Sequence, residues 1–175
     1  GGVVNVIDRR VPMAVPDEPL HLALQGGYGS AASERSAAAS ADVPLGGGWV
    51  VHANGSYLKS DDLRIGGFAL TPALRAQALA SPPDPEIDFA ANAEVQGRLP
   101  NTAGRTWTAG VGMAWIGEAA NIGVAYSRTD SLYGVPVRYA LAAGEEAEAV
   151  RLDVRQTRLD VRSEIKPDGG PFKLL

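Results

Sequence analysis

The stretch Trp107–Trp115, WTAGVGMAW, has a Trp at each end and no charge between them. Ala109, Val111 and Met113 alternate with Thr108, Gly110, Gly112 and Ala114. That period of two is a strand with one apolar face and one face of small residues. Eight steps lead from Trp107 to Trp115, so at about 3.3 Å each the two indoles stand roughly 26 Å apart along the strand. Tilted by about 40°, the strand projects to roughly 20 Å, near the height of the apolar band of a membrane β-barrel.

The same alternation recurs along the chain. In WVVHANGSY, Trp49, Val51, Ala53, Gly55 and Tyr57 share one face, opposite His52, Asn54 and Ser56. In LHLALQGGY, Leu20, Leu22, Leu24 and Tyr28 stand opposite His21 and Gln25. In ANIGVAYS, Ile122, Val124 and Tyr126 oppose Asn121, Gly123 and Ser127. The pattern predicts seven strands, at about 18–29, 34–43, 48–58, 105–116, 119–128, 150–164 and 170–175. Connections are uneven: the first is GSAASE, the even-numbered ones are all short, and the long ones are odd-numbered. PLGGG, the turn at Gly117-Glu118 and KPDGG are short, whereas 59–104 and 129–149 are long. In an up-and-down meander alternate connections share an end, so tight turns gather at one end and long loops at the other, as in outer-membrane barrels. Trp49 and Trp115 then fall at the turn end. Tyr28, Tyr57, Trp107 and Tyr126 fall at the loop end, giving two aromatic girdles on the lipid-facing side. The fold class is therefore all-β: an antiparallel up-and-down meander, about seven strands of a large transmembrane barrel. One strand breaks phase. Val150, Leu152 and Val154 are in one register and Leu159 and Val161 in the other, which suggests a bulge near Gln156. Arg155, Arg158, Asp160 and Arg162 must then face water or pair in the lumen.

Composition excludes several classes of function. The formal net charge is -4, which argues against a nucleic-acid partner. No cysteine is present, so disulfides, thiol nucleophiles and Cys-based metal sites are absent. No Gly-x-Ser-x-Gly elbow exists, and GGYGS and GVGMAWIG precede no helix, so neither is a phosphate loop. No catalytic residues, no enzymatic activity and no cofactor are expected. His21 and His52 lie mid-strand on the expected lumen face; they read as lumen polarity, or as a metal site if neighbouring strands align them. Within the first long loop, Thr71 as N-cap and Pro72 at the first position begin a short helix that Pro82-Pro83 ends. Asp84, Glu86 and Asp88 follow it, and Glu145, Glu146 and Glu148 lie in the second long loop. Either acidic group reads as a solvated loop or as an attractor of a cationic solute. Asp130, Tyr133 and Arg138, at the loop base, complete the candidate ligand-binding set with the three glutamates; a metal-ligand set is not assigned.

GGVVNVIDRRVP at the start resembles the end of the plug domain of TonB-dependent outer-membrane receptors. GRLPNTAGRTWTAGVGMAWIG, then NIGVAYSRTDSLYGVP, then VRLDVRQTRLDVRSEI resemble successive early barrel strands of that family. The nearest subgroup is the metal and zinc type, although the loop 129–149 lacks the His-rich stretch of its zinc-uptake members, and Leu159 stands where a Tyr is common. The resemblance implies residues 1–13 as the end of a plug and 14–175 as the N-terminal strands of a 22-stranded barrel in the bacterial outer membrane. It implies active uptake of a scarce solute, such as an iron–siderophore, haem, cobalamin or a metal complex. The implied partners are outer-membrane lipid, the TonB complex and that solute. A passive porin and a soluble β-sandwich binding module are the competing expectations.

Seven strands cannot close a barrel, and open edges are not tolerated in lipid. Residues 1–175 alone are thus expected not to insert as a stable monomer. Proteoliposome flotation and thermal melting of that segment check this, and stable monomeric insertion is the contrary result.

Overall fold

In the computed structural model, residues 10–136, 139 and 149–165 are described. Six long strands make one antiparallel meander: β1 (His21–Gly29), β2 (Glu34–Gly46), β3 (Trp49–Ser60), β6 (Gly104–Ile116), β7 (Ala120–Gly134) and β8 (Arg151–Ile165). Each pairs with its neighbour in the order β1-β2-β3-β6-β7-β8, so β1 and β8 are the outer strands of the sheet. All six coincide with strands expected from the alternation; the seventh, 170–175, lies outside the described residues. Between β3 and β6 the chain makes an excursion the alternation did not foretell in full. It holds the hairpin β4 (Leu63–Phe68) and β5 (Gln96–Leu99), with α1 (Pro72–Ala80) and α2 (Phe89–Glu94) between them.

Pairing is direct across the centre. Trp49 faces Trp115 and Tyr57 faces Trp107, with continuous register between. Because side chains alternate, this register sorts them onto two faces. One, the open face, carries Leu22, Leu24, Val51, Val111, Met113, Val124, Leu159 and Val161 along adjacent register rows. The other is the covered face, crossed by residues 10–13.

The bulge expected near Gln156 is not there. β7 and β8 pair without a shift from Ala120↔Ile165 to Gly134↔Arg151. The backbone stays regular and the apolar residues change face. Leu159 and Val161 stand on the open face opposite Tyr126 and Val124, whereas Val154 is opposite Ser131 on the covered side. Arg155 accordingly sits on the open face, not in a lumen. It pairs there with Asp153 (3.0 Å) and Asp130 (3.5 Å).

Burial is lopsided. Among the described residues seven hydrophobic residues are buried, whereas twenty-five large ones are exposed, so no second layer covers the open face. Leu24, Val161 and Ile165 are about three-quarters exposed (74%, 72% and 75%). What core the sheet has lies on the covered face, where Val11 packs with Ala114, Ala125 and Ile116. Glycines make room for it. A Cβ on Gly123 would come within 2.5 Å of Val11 Cγ1 and 2.8 Å of Ala114 Cβ, and one on Gly112 would run into the Arg10 carbonyl. The segment is held by polar bonds as well. Arg10 Nη1 donates to Ser127 Oγ (2.8 Å), Arg10 Nη2 lies 3.6 Å from Asp160, and Arg162 donates to the Met13 sulfur (3.0 Å).

Overpacking a tight seat costs about 1–3 kcal/mol. Gly123→Ala is therefore expected to lower stability by about that amount, and adding Val11→Ala to recover part of it. Denaturant unfolding of the refolded protein measures both; equal stability of Gly123→Ala and wild type would contradict the seat.

Candidate functional site

At the turn end, Gly46, Gly47 and Gly48 all take positive φ (89°, 58° and 85°), the backbone that the β2–β3 connection requires. A side chain at Gly48 would also meet the Ile116 carbonyl, whose own N–H donates to Gly48 O (2.8 Å). The Trp115 indole N–H donates to Gly47 O (3.1 Å). An aromatic ring on one hairpin thus fastens the turn of the next.

The loop end is more elaborate. Its three connections share hydrogen bonds at their bases. Asp61 N–H donates to Ala32 O (2.8 Å) and Arg64 N–H to Ala31 O (2.7 Å), which joins the β1–β2 turn to the excursion. Asp62 accepts the N–H groups of Thr102 and Ala103, both at 2.9 Å, and closes the excursion on itself. Asn101, at φ 60°, then reaches across to the next loop. Its side-chain amide donates to Val135 O (2.7 Å) and Val150 O (2.8 Å).

Within the excursion, Thr71 caps α1, its hydroxyl accepting from Leu74 N–H at 3.4 Å, and Pro72 opens the helix as expected. Ala78, Phe89, Ala93 and Ile87 form a small apolar cluster between the helices. Arg75 ties the parts together. Its guanidinium lies 3.4 Å from the Phe68 ring centroid and donates to Ala93 O (2.6 Å) and to Glu94 (2.8 Å). Asp88 caps α2 through Ala91 N–H (2.8 Å), and Asp84 accepts from Glu86 N–H (2.8 Å). Two of the three acids after α1 therefore serve local turns.

The covered face is polar between residues 10–13 and the loops. Thr106 and Ser131 share a hydroxyl bond (2.6 Å), and so do Thr108 and Thr129 (3.0 Å). His21, Asp42 and His52 occupy one register row on three adjacent strands. Buried His52 holds Asp42 through Nδ1 (2.8 Å), while His21 is exposed. The alignment needed for a metal site is present, yet among the described residues no three His, Asp or Glu side chains converge on a metal position.

The candidate ligand residues do not meet among the described residues. Asp130 is on the open face opposite Trp107, paired with Arg155, whereas Tyr133 faces the other way, opposite Gly104. Arg138, Glu145, Glu146 and Glu148 lie outside the described residues. Of the residues expected in the girdles, Tyr126 is opposite Val111, midway between the Trp107 and Trp115 rows and not level in register with the loop-end pair. Trp49 and Trp115 are cross-strand partners at the turn end, and Tyr57 and Trp107 at the loop end. Tyr28 and Tyr126 stand on the same face, and Arg128 lies 5.9 Å from the Trp107 ring. Sequence reasoning missed Asn101 as a link between loops. Its signal is the NT pair within the turn 100–103, where Asn accepts positive φ.

Removing the Asn101 amide takes its donor from the Val135 carbonyl and leaves Val150 O only the Val135 N–H. Asn101→Ala is expected to speed hydrogen exchange at the Val135 amide, bonded to Val150 O, at least tenfold, with β3–β6 protection unchanged. Mass-resolved exchange on the folded protein reads both, and unchanged exchange at Val135 is the contrary result. Compared with known families, the chain matches no family model.

Proposed function

We propose that the chain forms part of the wall of an outer-membrane β-barrel of the TonB-dependent receptor type. Its role in that reading is to build the lipid-facing wall and solute-facing rim of an active importer for a scarce complex. The single observation that carries the reading is the uncovered apolar face bounded by aromatic rings. A sheet in water hides such a face; in a bilayer it meets acyl chains and needs no second layer.

Register adds a geometric argument. Relative to the Tyr57–Trp107 pair, Tyr28 lies two residues toward the loops and Tyr126 four residues toward the turns. The aromatic line thus descends six residues while crossing from β1 to β7 over four strand spacings. At about 3.3 Å per residue and about 4.8 Å per strand, a level line of rings requires a strand tilt of about 45°. Membrane barrels have tilts of about 35–45°. Beyond that line the open face changes character at once, from Tyr126 and Leu159 to Arg128, Asp130, Asp153 and Arg155. Charges there would stand in the headgroup region.

The covered face supports a filled lumen over an open pore. It is small and polar, and a preceding segment is already seated on it through Arg10, Val11 and Met13. A passive porin has no need of that seat. The joined loops suit a rim that presents a surface to solute. Energy input through TonB and the identity of the solute follow from the family resemblance, not from these contacts.

The full-length protein is expected in the outer-membrane fraction and to migrate differently on gels before and after boiling, as closed barrels do. Deleting its gene should abolish growth on one scarce metal or metal complex supplied at limiting concentration, with growth on abundant metal unchanged. Recovery of the full-length protein from the soluble cytoplasmic fraction would end the proposal.

A further inference from the structure

Arg35, Lys59 and Arg105 are far apart in sequence and adjacent in the sheet. Arg35 is the register partner of Lys59, and Lys59 of Arg105. All three are exposed on the open face. They stand one same-face step beyond the row Ala37–Tyr57–Trp107, on the loop side. Like charges directly opposite one another across strands destabilise a sheet. Over three strands the row spans about 10 Å.

No carboxylate lies within ion-pair distance of these three among the described residues, in contrast to the other cations nearby. Arg155 has Asp130 and Asp153, and Arg128 has the Trp107 ring. Protein acids thus neutralise the β7–β8 side of this end and leave the β2–β3–β6 side positive. An anion fitting that row has to be broad or multiply charged, and it has to arrive beside an apolar, aromatic surface.

We propose that Arg35, Lys59 and Arg105 form a binding site for the phosphate groups of an anionic lipid, whose acyl chains lie along the apolar row below. This rests on the membrane reading given above. A phosphorylated headgroup supplies two or more negative oxygens that Arg guanidinium groups hold in pairs. Its acyl chains cover Tyr57, Trp107, Val111 and Met113, which are at least partly exposed. Charge and apolar surface are contiguous here, and a lipid is the anion that has both.

The test uses the full-length protein in phosphatidylcholine vesicles doped with brominated lipids. The readout is quenching of Trp107, taken by difference from the Trp107→Phe protein. Brominated phosphatidic acid is expected to be enriched about tenfold over brominated phosphatidylcholine at Trp107 in the wild type, allowing for solvent screening of each cation. In Arg35→Gln/Lys59→Gln/Arg105→Gln the ratio should fall to near one. If the triple variant does not reconstitute, Lys59→Gln alone should lower the ratio about threefold. A ratio near one in the wild type, or a variant ratio equal to wild type, overturns the proposal while leaving the membrane reading intact. Replacing chloride by inorganic phosphate at equal ionic strength should leave the ratio unchanged; its collapse would assign the row to free phosphate and overturn the lipid assignment. Absence of quenching by brominated phosphatidylcholine itself would overturn both.

Discussion

The continuous antiparallel pairing of β3 with β6 is the constraint on which the rest depends. From Trp49↔Trp115 to Ser60↔Gly104 there is no slip. A slip of one residue would exchange the two faces and put Trp and Met against Arg10 and Val11. With the register held, apolar side chains fall on one face and glycine, serine, threonine and histidine on the other. The seat for residues 10–13, the aromatic rows and the cationic row all follow from that sorting. None of them requires a separate device. Gly112 and Gly123 belong to one face only because β6 and β7 pair as they do.

Two kinds of surface meet at each strand, and neither supplies the usual source of stability. Among the described residues no open-face side chain is fully buried. The covered face contains few apolar residues, and its largest contact is with a segment of four residues, Arg10 to Met13. The ladder bonds therefore matter more than packing here. That balance suits a solvent in which an unpaired backbone group costs several kcal/mol. In water the same sheet would have a large exposed apolar surface with nothing to hide it.

Much of this was legible in the sequence, for a physical reason. Alternation reports directly on which side of a strand is wet, so β1, β2, β3, β6, β7 and β8 could be placed from the chain alone. The same reason explains the mistaken bulge. Leu152, Val154, Leu159 and Val161 report their surroundings, not backbone geometry, and the surroundings change along β8 while the backbone does not. Thr71 and Pro72 announced α1 because capping is local. β4, β5 and α2 were not legible, since LRIGGF and QGRL are too short to show a period. The cationic row was invisible for another reason: Arg35, Lys59 and Arg105 become neighbours only through two hydrogen-bonded registers. Asp130 and Tyr133 were grouped by closeness in sequence, and three steps along a strand put them on opposite faces.

The seat of the N-terminal segment has a consequence for the order of assembly. Arg10 bonds to Ser127 across 117 positions of chain, and Arg162 to Met13 across 149. The seat is complete only once β6, β7 and β8 have paired, because Gly112, Ser127 and Arg162 lie on three different strands. Closing so long a loop brings an entropic cost before any contact offsets it. The local hairpins β1–β2 and β6–β7 close over far shorter distances. The segment that precedes the sheet in the chain is thus among the last to find its place, and the strands pair before residues 10–13 are laid across them.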